Sequence, residues 1–564
     1  MTTQYAIQIT GRDRIEINPA MPVPEIGPTQ ILLQIEACGI CFSDTKLMHA
    51  FESHPRKTPI QSGLTEAELA EIPTYRPGSD PVVPGHEPVA RVAKVGDKVS
   101  RFQVGQRMLV QTDYRHLPTA ASNAAFGYDF DGALEEYALV DEKMVIDPQT
   151  GESYLIPVGE APSASAVALI EPWACVETAY SWPERRGIKE DGSLLVVVDP
   201  GFIPQGLEEL IVSSNPGKRV WCSSVSSVRE GEVFDDIIYA GADAGAVEAL
   251  GPHLGNRGIM NIVTCGHSFT RNVKIDAGRI HYDLIRYVGT TGDRAEDGYL
   301  DAGRTPNELA RSAEPKEEVE VRSTEHSWIP SVCEVRDSDR VAVIGAAGPM
   351  GMMHVVRTVT SGIPGVSVDA VDVDDERLRR LHEVVEPIAA HHGVPLTIHN
   401  SSLTPLEAGY TYIALMVPSP ELLAQAVDLA GDRAIINAFA GFAIGTMAEI
   451  DLNAIIGRKI YLVGTSGSRI CDMETVLHRL EAGTVDTNIS LDAITGMAGV
   501  PDAIESVNNR TSQGKIMVYP KLHELGLTRL VDCAEKLPDV AKAMDGARWT
   551  KQAESVLLRG VNDG

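Results

Sequence analysis

Short apolar runs broken by Gly, Pro and Asp fill residues 1–150. Ile31-Leu32-Leu33-Gln34-Ile35 and Arg107-Met108-Leu109-Val110 are two of them, and the pattern predicts a β-rich region. From about residue 190 apolar strands alternate with helical stretches, the signature of a parallel α/β sheet. Leu194–Val198 reads as one such strand. Val341–Ile344 reads as another, followed by Gly345-Ala346-Ala347-Gly348-Pro349-Met350-Gly351 and a helix. Beyond Pro520 the pattern predicts two short helices, Leu525–Glu535 and Pro538–Ala543. The amino terminus alternates like a strand and has no basic-then-apolar leader. No run reaches the roughly 18 apolar residues of a membrane helix.

Comparing the chain with itself reveals a repeat. FDDIIYAGADAGAVEAL from 234 and YTYIALMVPSPELLAQA from 410 lie 176 residues apart, as do GNRGIMNI from 255 and GDRAIINA from 431. Tyr287-Val288-Gly289-Thr290-Thr291-Gly292 and Leu462-Val463-Gly464-Thr465-Ser466-Gly467 follow at an offset of 175. General resemblance among parallel strands explains the apolar runs, but not the shared G-x-R and V-G-T-x-G details. The pattern predicts residues 1–189 as a β-rich domain, 190–292 as a first Rossmann-like domain and 293–337 as a polar linker. A second Rossmann-like domain covers 338–490, and 491–564 returns to the first domain with C-terminal helices.

Charge narrows the partners. With 49 basic and 78 acidic residues the net charge is −29, which repels phosphate backbones and anionic lipid heads. Neither nucleic acid nor membrane is an expected partner. Eight cysteines in 564 residues are too sparse for a disulfide framework, so free thiols in a cytoplasmic protein are expected.

Three clusters carry candidate chemistry: Ala37-Cys38-Gly39-Ile40-Cys41-Phe42-Ser43-Asp44, Pro84-Gly85-His86-Glu87-Pro88 and Ala168-Leu169-Ile170-Glu171-Pro172. Thiolate, imidazole and carboxylate together suit a catalytic zinc with one open position. Each cluster alone also reads as a buried Cys, a capped His or a surface Glu. In combination with VGDKVSRFQVGQR, DGALEEYALV and ALIEPWACVETAY, they resemble the GroES-like catalytic domain of zinc-dependent medium-chain alcohol and polyol dehydrogenases. The resemblance runs through most of 25–180 and resumes in the last nucleotide-binding domain, ending near Gly514–Val518. It implies Cys41 and His86 as zinc ligands, Glu87 as a third that comes and goes, and Glu171 as ligand or holder of the metal-bound water. It implies Ser43 as the proton-relay hydroxyl and leaves Cys38 and Cys175 to packing. Where the family carries a four-cysteine lobe, residues 89–135 have no cysteine, so one zinc is expected. His49–Pro81 is longer than the corresponding family loop and reads as a lid or a subunit contact. The spacing Cys41-x-Ser43-x-x-Lys46 resembles the L-sorbose 1-phosphate reductase branch. There Lys46 would pass a proton or meet a substrate anion; a solvated surface lysine is the other reading.

Gly345, Gly348 and Gly351 with Met350 lie between a strand and a helix, and the next strand ends at Asp372. Such a loop lets backbone N–H groups approach a pyrophosphate at a helix N-terminus. Asp372 suits both ribose hydroxyls and opposes a 2′-phosphate, favouring NAD; Asp374 is the rival residue. Arg377 either flanks the adenine or is a helix-surface arginine. After Leu194–Val198 the first repeat has Asp199-Pro200-Gly201-Phe202-Ile203-Pro204-Gln205-Gly206, which makes no such cradle and predicts a degenerate copy. The polar stretch Gln111, Asp113, Tyr114, Arg115 and His116 suits a hydroxylated substrate. The expectation is a zinc-dependent, NAD-linked dehydrogenase of a sugar, polyol or sugar phosphate. A lyase or epimerase that recycles bound NAD fits the same motifs; a non-enzymatic NAD-binding protein is a second alternative, against which the intact Cys41, His86 and Glu171 set argues. The two repeats are expected to pair edge to edge as an internal pseudo-dimer, alone or within a homo-oligomer.

Overall fold

The computed structural model describes residues 2–300, 328–329 and 333–562. The chain forms two compact units: Met1–Cys175 with Ser468–Gly564, and Val176–Gly467. The changeovers therefore fall at Val176 and Ser468, not near 190 and 491. The first lies inside the helix Ile170–Ser181; the second precedes the helix Ile470–Glu481, which belongs to the first unit. Apolar periodicity does not register a changeover inside a continuous helix. Most of the predicted linker, 301–327 and 330–332, lies outside the described residues.

The first unit is built on the strand Gln30–Ile40, whose alternating and then continuous apolar side chains are buried. It pairs antiparallel with Glu87–Val95, with Tyr137–Asp141 and, at its far end, with Lys515–Val518. The register places Gly39 opposite Glu87 and Met517. The end of this strand, Glu87 and Lys515 thus converge although they lie far apart in sequence. His49–Pro81 is anchored rather than free. Lys57 is fully buried and donates to the carbonyls of Arg76 (2.5 Å) and Asp80 (2.6 Å), and Arg56 pairs with Asp113 at 2.8 Å. The tail differs from its reading: Thr528–Arg529 is a strand, short helices span Cys533–Lys536 and Pro538–Ala541, and Lys551–Asn562 is a third helix. This last helix packs through isolated positions such as Ala553 and Glu554, a stripe too narrow to stand out in sequence.

The second unit holds two all-parallel sheets. The later one orders its strands Leu396–Asn400, Ser367–Asp372, Arg340–Ile344, Tyr410–Leu415, Ala430–Asn437 and Tyr461–Val463, the 3-2-1-4-5-6 order of a doubly wound fold. The earlier one runs Lys218–Cys222, Ser193–Val198, Phe234–Ala240, Leu254–Val263 and Arg286–Thr290. It follows the same order without the outer strand. Only a short 3-10 turn, Val225–Ser227, connects Cys222 to Phe234, too little chain for a helical crossover.

The equivalences extend to the backbone. Arg257 and Arg433, the arginines of the two G-x-R blocks, both adopt left-handed φ (59° and 55°). Their N–H groups donate to Asp283 (2.6 Å) and Arg458 (2.7 Å), equivalent carbonyls 175 residues apart. Leu284 and Lys459 are left-handed in the same way (55° and 54°). Val273–Asp276 pairs antiparallel with Met447–Ile450, joining the repeats, and one apolar core containing Ile262, Ile280, Tyr287, Ile436, Ile455 and Leu462 runs through both.

Candidate functional site

In the first unit a ligand atom from each of Cys41, His86 and Glu87 lies within 4.8 Å of the others. His86 and Glu87 are buried. Cys41 precedes the helix Phe42–Ala50, and Asp44 in its first turn receives the Cys41 N–H at 2.9 Å. The other Asp44 oxygen faces His86 Nδ1 at 3.0 Å. A carboxylate on Nδ1 fixes the ring and turns Nε2 outward as a ligand. Glu87 is equally constrained. One oxygen is 2.5 Å from Lys515 Nζ, and the other is buried with no hydrogen-bond partner among the described residues. A Cβ on Gly39 would stand 2.2 Å from that second oxygen, so this carboxylate needs glycine opposite it. A soft thiolate, an oriented imidazole and a carboxylate with an orphaned oxygen fit a zinc ion that keeps an open position.

Glu171 lies outside the three-residue group. Its carboxylate faces Ser468 Oγ at 3.3 Å and Cys175 Sγ at 3.5 Å. Burial and the nearby Glu87 carboxylate raise its pKa above the ordinary value. Ser43 is half-buried on the first turn after Cys41, and Lys46 lies over the Phe42 ring at 5.7 Å. Cys38 is fully buried, and burial pushes its thiol pKa up, as suits a packing residue. The polar stretch 111–116 is largely engaged internally. Gln111 donates to Ser468 (3.1 and 3.0 Å), Arg115 to the Ser468 carbonyl (2.9 Å), and Tyr114 is buried. Sequence reasoning missed Asp44, Lys515 and Ser468. Asp44 and Lys515 lie within quoted motifs, but only the strand register reveals their partners.

In the second unit the glycine loop follows the strand Arg340–Ile344 and opens the helix Pro349–Val359. Gly345 has φ 85°, and a Cβ on Gly351 would lie 2.2 Å from the Gly345 carbonyl. The helix is capped by Gly348 with no side-chain bond, which leaves first-turn N–H groups available to an anion. Asp372, at the end of its strand, accepts from Ala347 N–H at 3.1 Å and so stands against the loop. Asp374 is used as an N-cap, accepting from Arg377 N–H at 3.0 Å, and Arg377 is half-buried in the helix's first turn. Met350 follows Pro349 and is half-buried. The loop suits a dinucleotide pyrophosphate, with an acidic partner placed for ribose hydroxyls.

Residues 27–149 match the alcohol dehydrogenase GroES-like domain. The fold is similar to that of 2R,3R-butanediol dehydrogenase from Bacillus subtilis, with a TM-score of 0.51 and 15% identity, covering 92% of this chain and 100% of that one. Residues 27–149 thus carry the likeness to the alcohol dehydrogenase GroES-like domain, and the likeness to the solved structure is one of fold. Among curated relatives, sorbitol dehydrogenase of Bombyx mori is 34% identical over 111 residues, 20% of this chain and 26% of that protein. Mannitol-1-phosphate 5-dehydrogenase of Aliivibrio fischeri (strain ATCC 700601 / ES114) is 24% identical over 245 residues, 40% of this chain and 57% of that protein. The chain thus spans well under two thirds of the length of either relative. No helix among the described residues is long and apolar enough to cross a membrane.

Proposed function

We propose that the chain is a zinc-dependent, NAD(H)-linked oxidoreductase that interconverts a secondary alcohol and a ketone on a sugar, polyol or sugar phosphate. The observation that carries this reading is the Cys41–His86–Glu87 group with Asp44 behind the imidazole. Cys41 and His86 would hold the metal, and Glu87, fixed on one oxygen by Lys515, would offer its other oxygen as a third ligand. Bound zinc supplies Lewis acidity that lowers the pKa of the substrate alcohol. Ser43 accepts the hydroxyl proton and passes it outward. Gly345, Gly348 and Gly351 seat the pyrophosphate and Asp372 orients the adenosine ribose; bound NAD supplies the hydride acceptor. Glu171, which accepts from Ser468 Oγ at 3.3 Å, would orient a substrate hydroxyl or water in the site. The sugar, polyol or sugar-phosphate class is supported by the names of the relatives. The eight free thiols support a reducing, cytoplasmic setting.

The test is a panel of polyols and sugar phosphates with NAD, followed at the NADH absorbance, beside metal analysis. One zinc per chain is expected, and Cys41→Ser loses both zinc and turnover. Two tightly held zincs per chain, or full turnover without metal, overturn the reading. Replacing Asp44 with Asn should weaken zinc affinity about 10- to 100-fold while the protein stays folded.

A further inference from the structure

The two repeats meet about a pseudo-two-fold axis. In the ladder between Val273–Asp276 and Met447–Ile450, Val273 faces Ile450, Lys274 faces Glu449 and Ile275 faces Ala448. At the repeat offset of 175, Lys274 is equivalent to Glu449, so this position meets its own counterpart. Arg286 and Tyr461 are likewise equivalent, and the Arg286 guanidinium donates to the Tyr461 hydroxyl. Further from the axis the symmetry persists. Asp276 and Asp451 cap equivalent helices, and Gly289 and Gly464 each lie against the other repeat, near Ile456 and Ile280.

A true two-fold puts identical residues against each other at its axis. Here both axis positions have become complementary pairs. Lys274 Nζ lies 3.7 Å from Glu449. Arg286 is buried and forms an ion pair with buried Glu184, which also accepts from Tyr461 at 2.9 Å. Pairing two copies of the first repeat would oppose Lys274 to Lys274 and two buried Arg286 side chains. Pairing two copies of the second would oppose Glu449 to Glu449 and remove the cation that neutralises Glu184. The exposed Lys–Glu pair contributes little by itself; the buried Arg286–Glu184–Tyr461 cluster supplies most of the discrimination.

We propose that this edge is a two-fold interface that has lost self-complementarity: each repeat accepts the other and rejects its own copy on a second chain. Its partner is therefore the other half of the same molecule. The attractive pair and the like-charge penalty against the alternative act together as positive and negative selection of partner.

Two experiments on the full chain test this. Cysteine is placed at the axis, first as Glu449→Cys alone and then with Lys274→Cys, against Val531→Cys as an exposed control. Oxidised samples are compared on non-reducing gels. The double variant is expected to close a cross-link within one chain. Glu449→Cys alone is expected to give no more cross-linked dimer than the control; rapid, specific dimer formation by that variant overturns the proposal. Second, Arg286→Tyr is expected to lower the thermal midpoint by about 5 °C or more. The exchange Arg286→Tyr with Tyr461→Arg restores most of the loss because the cluster is rebuilt across the axis. A double variant no more stable than the single one overturns the assigned role of the pair.

Discussion

The two sheets of the second unit share strand order, left-handed turns and cap positions, yet the loops that lead from their first strands into their first helices differ in almost every respect. At the later end, Gly345 and Gly351 bring strand and helix into contact, the helix cap is unfilled, and Asp372 stands beside the loop. At the earlier end, Tyr239 donates its hydroxyl to Asp199 and accepts from Asp243 N–H at 3.1 Å. A Cβ on Gly241 would lie 2.3 Å from that tyrosine ring. Glu208 and Glu209 occupy the first helical turn, and Gln205 at its entry pairs with Arg294. Carboxylates at a helix N-terminus satisfy the charge that a phosphate would otherwise satisfy. Shared architecture therefore does not imply shared ligand binding; the loop decides it.

The largest expected effect comes from Gly351→Ala. Its Cβ collides with the Gly345 carbonyl, so NAD affinity by calorimetric titration should fall at least about 30-fold while zinc content is unchanged. Gly201→Ala in the earlier loop, where an added Cβ meets nothing within 4 Å but φ is 92°, should leave NAD affinity unaltered and cost only local strain. Equal losses from the two changes would erase the contrast. Titrating the unmodified chain should give one NAD site; two equivalent sites would show the earlier loop to be competent. Next in size, Asp372→Ala should shift the ratio of NAD to NADP efficiency roughly tenfold toward NADP, through the loss of a charged acceptor for ribose hydroxyls. A wild-type preference for NADP would overturn the role given to Asp372. Tyr239→Phe should have the smallest effect: a modest fall in thermal midpoint, measured by calorimetry, with NAD titration unchanged.

The repeat was legible because its signals are local. G-x-R marks a left-handed arginine in both copies, and an apolar run ending in an acid marks a strand end. The metal group was legible only through the resemblance, since Cys41 and His86 are 45 residues apart and nothing in their spacing brings them together. Asp44 and Lys515 escaped because their roles depend on register: Lys515 reaches Glu87 only because its strand lies beside the end of Gln30–Ile40. The change of unit at Ser468 escaped because that segment is held by side-chain bonds from Gln111 and Arg115, which leave no hydrophobic pattern.

The ladder between Val273–Asp276 and Met447–Ile450 has both of its strands on one polypeptide. Its formation is unimolecular, so dilution does not weaken it, whereas an edge shared between separate chains comes apart as concentration falls. The thermal midpoint of this unit should therefore be independent of protein concentration. The cost of bringing the two edges together is a loop-closure entropy, which grows only slowly with the length of intervening chain. A long stretch between the repeats is compatible with a stable join.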